Sequence, residues 1–126
     1  MKIKINSVEN GAFYDDITWD FWVNGTLKNG EIINLFDPNA FNLKEYIGHF
    51  VDVQLKALFV QEDRSDDLCV FIGKIIRNND IFIFTNENIE ILLDADDVYE
   101  NGLEINKIQS YYFGRLDIVT FNSFYS

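Results

Sequence analysis

Carboxylates are the groups in this chain whose number and spacing could do chemistry. They gather at Asp15-Asp16, at Glu62-Asp63 with Asp66-Asp67, and at Asp94-Ala95-Asp96-Asp97. Clustered carboxylates suit three tasks: holding a hard cation, acid–base catalysis, or meeting a basic surface. A calcium loop needs oxygen ligands at fixed offsets and a Gly at its sharp turn. Counted from Asp94, the fifth and sixth positions are Val98 and Tyr99; counted from Asp97, the twelfth is Ile108 instead of Glu. This spacing excludes an EF-hand, and no metal is assigned. Three readings of 94–97 stay open: a solvated turn, an irregular weak cation site, or part of a protein-binding patch. Catalytic carboxylate pairs need environments that split their pKa values. The clusters here fall in turns expected to be exposed, where carboxylates keep ordinary values.

Nucleophilic chemistry has little to work with. His49 is the sole histidine, so a nucleophile–His–acid arrangement would have to use it. Ser7, Ser65 and Cys69 carry no Gly-x-Ser-x-Gly elbow. Cys69 is the lone cysteine and lies in the apolar run Leu68-Cys69-Val70-Phe71-Ile72, which reads as a buried structural thiol. Gly25 and Gly30 are followed by no Lys-Ser/Thr and make no phosphate loop. No catalytic residue and no cofactor is assigned, and the protein is expected not to be an enzyme.

The aromatic residues are the second resource, at 16% of the chain. Trp19 and Phe21 fall in phase with Ile17 and Val23 and are expected in the core. Trp22 takes the opposite face. It either meets a partner, as tryptophan often does at interfaces, or lies beneath a loop or the C-terminal tail. Phe124 and Tyr125 in that tail either pack as a last strand or present themselves to a partner.

The elements that must position these groups repeat with a period of two. Ile17, Trp19, Phe21 and Val23 alternate with Thr18, Asp20 and Trp22, and Val51, Val53, Leu55, Ala57 and Phe59 with Asp52, Gln54, Lys56 and Leu58. Such alternation predicts half-buried antiparallel strands. Asn29-Gly30 and Asn78-Asn79-Asp80 mark hairpin turns, and Asn101-Gly102 a third turn. Asn24-Gly25 interrupts a strand and reads as a bulge. Asn42 with Glu45, then Leu43, Tyr46 and Ile47 on one face and Gly48 as terminator, predict a short α-helix near 42–48. A weaker helical turn lies at 94–100. Phe71-Ile72-Gly73-Lys74-Ile75 and Tyr112-Phe113-Gly114-Arg115-Leu116 echo each other, as two strands that kink at Gly for curvature. The expectation is all-β: one small antiparallel β-barrel of OB-like or SH3-like type spanning 1–126, with a β-sandwich as the alternative.

Residues 43–96 resemble an Sm-like barrel in part. After the expected helix comes Gly48-His49-Phe50-Val51-Asp52-Val53-Gln54-Leu55, close to that family's Gly-x-x-Val-x-Val-x-Leu strand, followed by a strand carrying Gly73 and by Asn88 through Asp94. The acidic stretch 61–67 stands where the family has a tight Gly turn, and the family's Ile-Arg-Gly turn is missing. The resemblance implies a small barrel that contacts RNA.

Charge argues against that ligand. Asp and Glu number 21 against 10 Lys and Arg, a formal net charge of -11. Phosphate binding is driven by basic groups that release counterions, and the Lys and Arg residues are dispersed. The leading expectation is therefore a non-catalytic acidic protein that engages a basic protein partner. An immunity or inhibitor protein masking a cationic toxin or nuclease surface is one concrete form. Its contacts would be Trp22, Asp15, Asp16, Asp63, Asp66, Asp67, Asp94, Asp96, Asp97, Phe124 and Tyr125. The alternative is an OB- or Sm-like nucleic-acid-binding module. The start, Met1-Lys2-Ile3-Lys4-Ile5, has no apolar signal region, and no run approaches the roughly 18 apolar residues of a membrane span. A cytoplasmic location away from membranes is expected.

Overall fold

A computed structural model describes residues 1–63 and 70–123. Asp66, Asp67, Cys69, Phe124 and Tyr125 lie outside the described residues. In chain order the strands are β1 (Lys2–Asn10), β2 (Phe13–Tyr14), β3 (Ile17–Thr18), β4 (Phe21–Leu27), β5 (Ile32–Asp37), β6 (Phe50–Ala57), β7 (Val60–Glu62), β8 (Val70–Asn78), β9 (Ile81–Thr85), β10 (Glu90–Leu93), β11 (Gln109–Phe113) and β12 (Leu116–Ser123). A 3-10 turn, Leu43–Tyr46, precedes β6, and the single α-helix among the described residues, α1 (Ala95–Glu100), follows β10. The chain is predominantly β, as its alternation requires. It forms two compact units, Met1–Gln54 with Asp117–Ser126, and Leu55–Leu116.

The first unit is a closed barrel of five strands. Around the ring the order is β1, β4, β5, β12, β6 and back to β1. The closing pair is antiparallel, with Ile3 opposite Val51, and β12 runs parallel to β5 at Asp117 and Phe36. The three strands of the meander come first, the fifth returns beside the third, and the fourth closes onto the first. This Greek-key ring is the order of an OB-like barrel. Inward positions alternate along each strand: Ile3 and Ile5, Phe21 and Val23, Ile33 and Leu35, Val51 and Val53 are all buried. Each such side chain contributes about 1.5–3 kcal/mol on burial.

Local sequence sets the corners. Leu27 N–H donates to the Glu31 carbonyl at 2.8 Å across Lys28-Asn29-Gly30, with Gly30 at φ 90°. That is a three-residue hairpin loop, and only its αL position calls for glycine. Asn24-Gly25 stays in register. The bulge falls on the partner strand, where Asn6 is the extra residue between Ile5 and Ser7. The shift returns Val8 to the inward phase after Ile3 and Ile5. At the end of β5, Asp37 is fully buried, and its two carboxylate oxygens accept from the backbone N–H groups of Asn39 and Asn42 at 3.2 and 3.0 Å. That clasp starts the turn expected at 42–48. The turn is a single 3-10 turn instead of an α-helix, with Asn42 capping Lys44 N–H and Leu43 fully buried.

In the second unit, β8, β9 and β10 form a meander and β11 pairs with the outer side of β8. The segment 55–62 pairs with both ends of that array: Leu55 and Lys56 lie parallel to β10, while β7 lies antiparallel to β11. The core is aromatic. Phe84 meets Tyr111 edge-on at 5.5 Å and Phe113 at 5.0 Å. Gly73 is required there, because a Cβ would stand 2.5 Å from the Thr85 carbonyl oxygen and 2.7 Å from the Phe84 ring. Asn101-Gly102 ends α1, with Gly102 at φ 60° and Leu103 N–H bonding back to the Val98 carbonyl. The stretch 43–96 that resembles an Sm-like barrel is divided between the two units.

Candidate functional site

The outer face of the β1-β4-β5 meander collects the groups best suited to recognition. Register places them in rungs. Glu9, Trp22 and Phe36 form one rung; Ser7, Asn24 and Asn34 the next; Lys4, Thr26 and Ile32 the last. Inward neighbours are buried core residues, so these side chains must point outward.

The first rung is aromatic and acidic. Trp22 and Phe36 rings stand 4.7 Å apart, tilted by 53°. Phe36 is covered while Trp22 remains 46% exposed. On the other side of Trp22 stands Glu9, which makes no ion pair among the described residues. The second rung is a chain of amides. Asn6 Nδ2 donates to Asn24 Oδ1 at 3.0 Å and to Thr26 Oγ1 at 2.8 Å, and Asn24 Nδ2 donates to Asn34 Oδ1 at 2.9 Å. An open cleft of about 220 Å³ lies between these rungs, lined by Ser7, Glu9, Trp22, Val23, Asn24, Asn34 and Leu35.

A hairpin extends this face. Hydrogen bonding continues past Asn10 and Phe21 through Gly11–Asp20 and Ala12–Trp19 to the β2–β3 pair. Asp15 and Asp16 close it with φ of 53° and 60°. Two successive positive φ values are the signature of a tight hairpin turn whose twist matches the strands. Phe13, Tyr14, Ile17 and Trp19 are all exposed on it.

The structure corrects the expectation that Trp19 lies in the core. The strand phase is as expected, but the core ends at Phe21. Trp19 and Ile17 belong to rungs of the hairpin lying past the last core residue, and both stay more than half exposed. Trp22 is exposed on the outer face. Among the expected contacts, Asp15, Asp16 and Trp22 belong to the first unit. Asp63, Asp94, Asp96 and Asp97 belong to the second.

In the second unit one of these carboxylates acts on its own backbone and another residue is fixed by its main chain. Asp94 caps α1, its Oδ1 accepting from Asp96 N–H at 3.1 Å. Asp63 N–H donates to the Ser110 carbonyl at the end of β7. Partial desolvation and the neighbouring Asp94 and Asp96 push the Asp97 carboxyl above its ordinary range, against the pull of Lys56. Among the described residues no group of His, Cys, Asp and Glu is arranged to hold a metal, and no helix is long and apolar enough to cross a membrane. His49 is exposed, and its backbone clasps β1 by accepting from Ile5 N–H at 3.0 Å.

The sequence alone does not single out Glu9 or the Asn6–Asn24–Asn34 chain, and it offers Ser7 only as a nucleophile without an elbow. Period-two phase places Asn24 beside Trp22 on β4, so one arm of the site was signalled. The register that aligns Glu9 with Trp22 depends on the Asn6 bulge, for which the sequence carries no mark.

No family model, curated protein or solved structure gave a significant match to the chain. Strand order therefore carries the fold comparison. OB-like modules bind ligands across their second and third strands and the loop joining the first two. Here those positions are β4, β5 and the hairpin of residues 11–20.

Proposed function

We propose that this protein is a non-catalytic OB-like binding module acting in the cytoplasm. Its ligand lies across the outer face of β1, β4 and β5. The observation that carries this reading is the coincidence of three features on one face: the barrel order, the cleft beside Trp22, and the exposed aromatics of the adjoining hairpin.

The ligand we favour is a basic segment of another protein. Glu9, Asp15, Asp16 and Asp20 line the first rung and the hairpin, while Lys4 stands on the far rung. Carboxylates so placed steer a cationic partner, and aromatic groups then hold it. A protein that masks a cationic surface, as an immunity or inhibitor protein does, is the corresponding role. Single-stranded nucleic acid is the second reading. OB-like barrels take oligonucleotides on this face, and exposed rings such as Trp19 and Tyr14 supply stacking platforms.

Paired titrations separate the two. A fluorescent octa-arginine peptide and a thymidine pentadecamer are each titrated with the protein at low and moderate salt. Saturable peptide binding without oligonucleotide binding supports the basic-segment reading. Saturable oligonucleotide binding with a steep salt slope replaces it with the second.

A further inference from the structure

We infer that the cleft between Glu9 and Trp22 is a receptor for a single arginine side chain of the partner. This rests on the reading of the face as a site for a basic segment, and it names the group recognised there.

Three features of the cleft select a guanidinium. The first is the ring. Trp22 leans on Phe36 on the β5 side and lines the cleft with Glu9 on the β1 side. Tryptophan is the aromatic side chain that attracts a cation most strongly over its face. The second is the charge. Glu9 stands in the cross-strand position beside Trp22 and has no cationic partner among the described residues. A carboxylate there can accept two parallel N–H bonds from a planar guanidinium, a geometry an ammonium does not supply. The third is the remaining lining. Ser7 offers a hydroxyl oxygen, and the amide oxygens of Asn24 and Asn34, each already accepting one bond, keep a second lone pair for the other guanidinium N–H groups. The open cleft, of about 220 Å³, has room for one long side chain.

The chemistry also rejects the competing groups. A phosphate would meet Glu9 with like charge. A purely apolar side chain would desolvate Glu9 without pairing it, and an unpaired charge taken from water is strongly disfavoured.

The test uses N-acetylated octa-arginine and octa-lysine peptides, the whole chain, and two readouts. Calorimetry gives affinity, and the two tryptophan indole N–H signals, assigned with Trp19→Phe, report where the peptide lands. The Trp22 indole signal is expected to move on adding octa-arginine. Glu9→Gln is expected to weaken that binding about tenfold, the value of one charge-assisted contact. Octa-lysine is expected to bind about fivefold more weakly than octa-arginine. Glu9→Lys, a second substitution at the same exposed position, is expected to abolish the Trp22 shift. If octa-arginine binds with equal affinity to wild type and Glu9→Gln and moves other signals, the arginine receptor is overturned while the basic-segment reading stands. If neither peptide binds, both fall together.

Discussion

Trp22 and Phe36 stand directly opposite each other on β4 and β5, with ring centroids 4.7 Å apart. One ring is covered and the other open. The covered ring gives the open one a fixed partner, so the proposed platform is held by packing as well as by its strand. A platform held this way loses little rotamer freedom when a ligand arrives, which lowers the cost of binding.

Phe36→Leu therefore separates stability from recognition. The swap keeps an apolar group of moderate size and is expected to cost about 1–1.5 kcal/mol. Urea unfolding measures that loss. Affinity for a basic peptide is expected to fall further than the stability change suggests, because Trp22 is no longer braced. Equal affinity in the two proteins would show that Phe36 does not brace Trp22 for binding.

The hairpin tip gives a prediction of opposite signs. Asp15 and Asp16 both adopt positive φ, a conformation that Asn and Gly accept more readily. The paired substitution Asp15→Asn with Asp16→Gly relieves the left-handed backbone cost and is expected to protect the hairpin amides from hydrogen exchange by about 0.5–1 kcal/mol, after the entropy that glycine adds to the unfolded chain. The same change removes two negative charges, so the association rate of a cationic peptide is expected to drop.

Gly73 and Gly114 repeat the same local pattern in sequence, yet they differ in crowding. A Cβ at Gly73 meets the Thr85 carbonyl at 2.5 Å and the Phe84 ring at 2.7 Å, whereas at Gly114 the nearest atom is Phe59 Cβ at 3.1 Å. Gly73→Ala is expected to cost about 2–3 kcal/mol, within the range for overpacking a core. Gly114→Ala is expected to cost less. Denaturation midpoints of the two variants measure the difference.

Tyr111 ties the stability of the second unit to alkaline pH. Its side chain is fully buried and its hydroxyl donates to the Lys107 carbonyl at 3.2 Å. Burial pushes its ionisation above the usual value, with Gln109 opposing and Glu62 and Glu104 adding. The folded pKa lies above the unfolded one, so the fold favours the neutral phenol. That stability is complete below the unfolded pKa of about 10 and is lost as pH rises through the folded value. Tyr111→Phe is expected to cost about 1 kcal/mol at neutral pH, from the lost hydrogen bond, and to flatten the stability decline above about pH 10. Urea unfolding as a function of pH checks both.

Much of the barrel was legible because alternation is a backbone property. Phe21, Val23, Val51 and Val53 are buried as their phase requires, and Asn29-Gly30 turns where the αL position needs a glycine. Burial was legible only as far as the opposing layer extends. Ile17 and Trp19 keep the phase of Phe21 but run past the core, and no local signal marks where that layer stops. The helix was harder. Asn42 caps a turn as its side chain predicts, yet the geometry there is set by Asp37, a buried carboxylate upstream that the sequence presents as one more acidic residue. The site itself is a matter of register. Trp22 stood out alone, while Glu9 joins it only after the Asn6 bulge has shifted β1 by one position.

The most direct test of the binding face is the pattern of backbone amide shifts in two-dimensional NMR when octa-arginine is added to the whole chain. Shifts are expected to concentrate at Ser7 to Glu9, Trp22 to Asn24 and Asn34 to Phe36, reproduced by no thymidine oligonucleotide. Shifts that spare these three strands, or that gather at Asp94 to Asp97 instead, would contradict it.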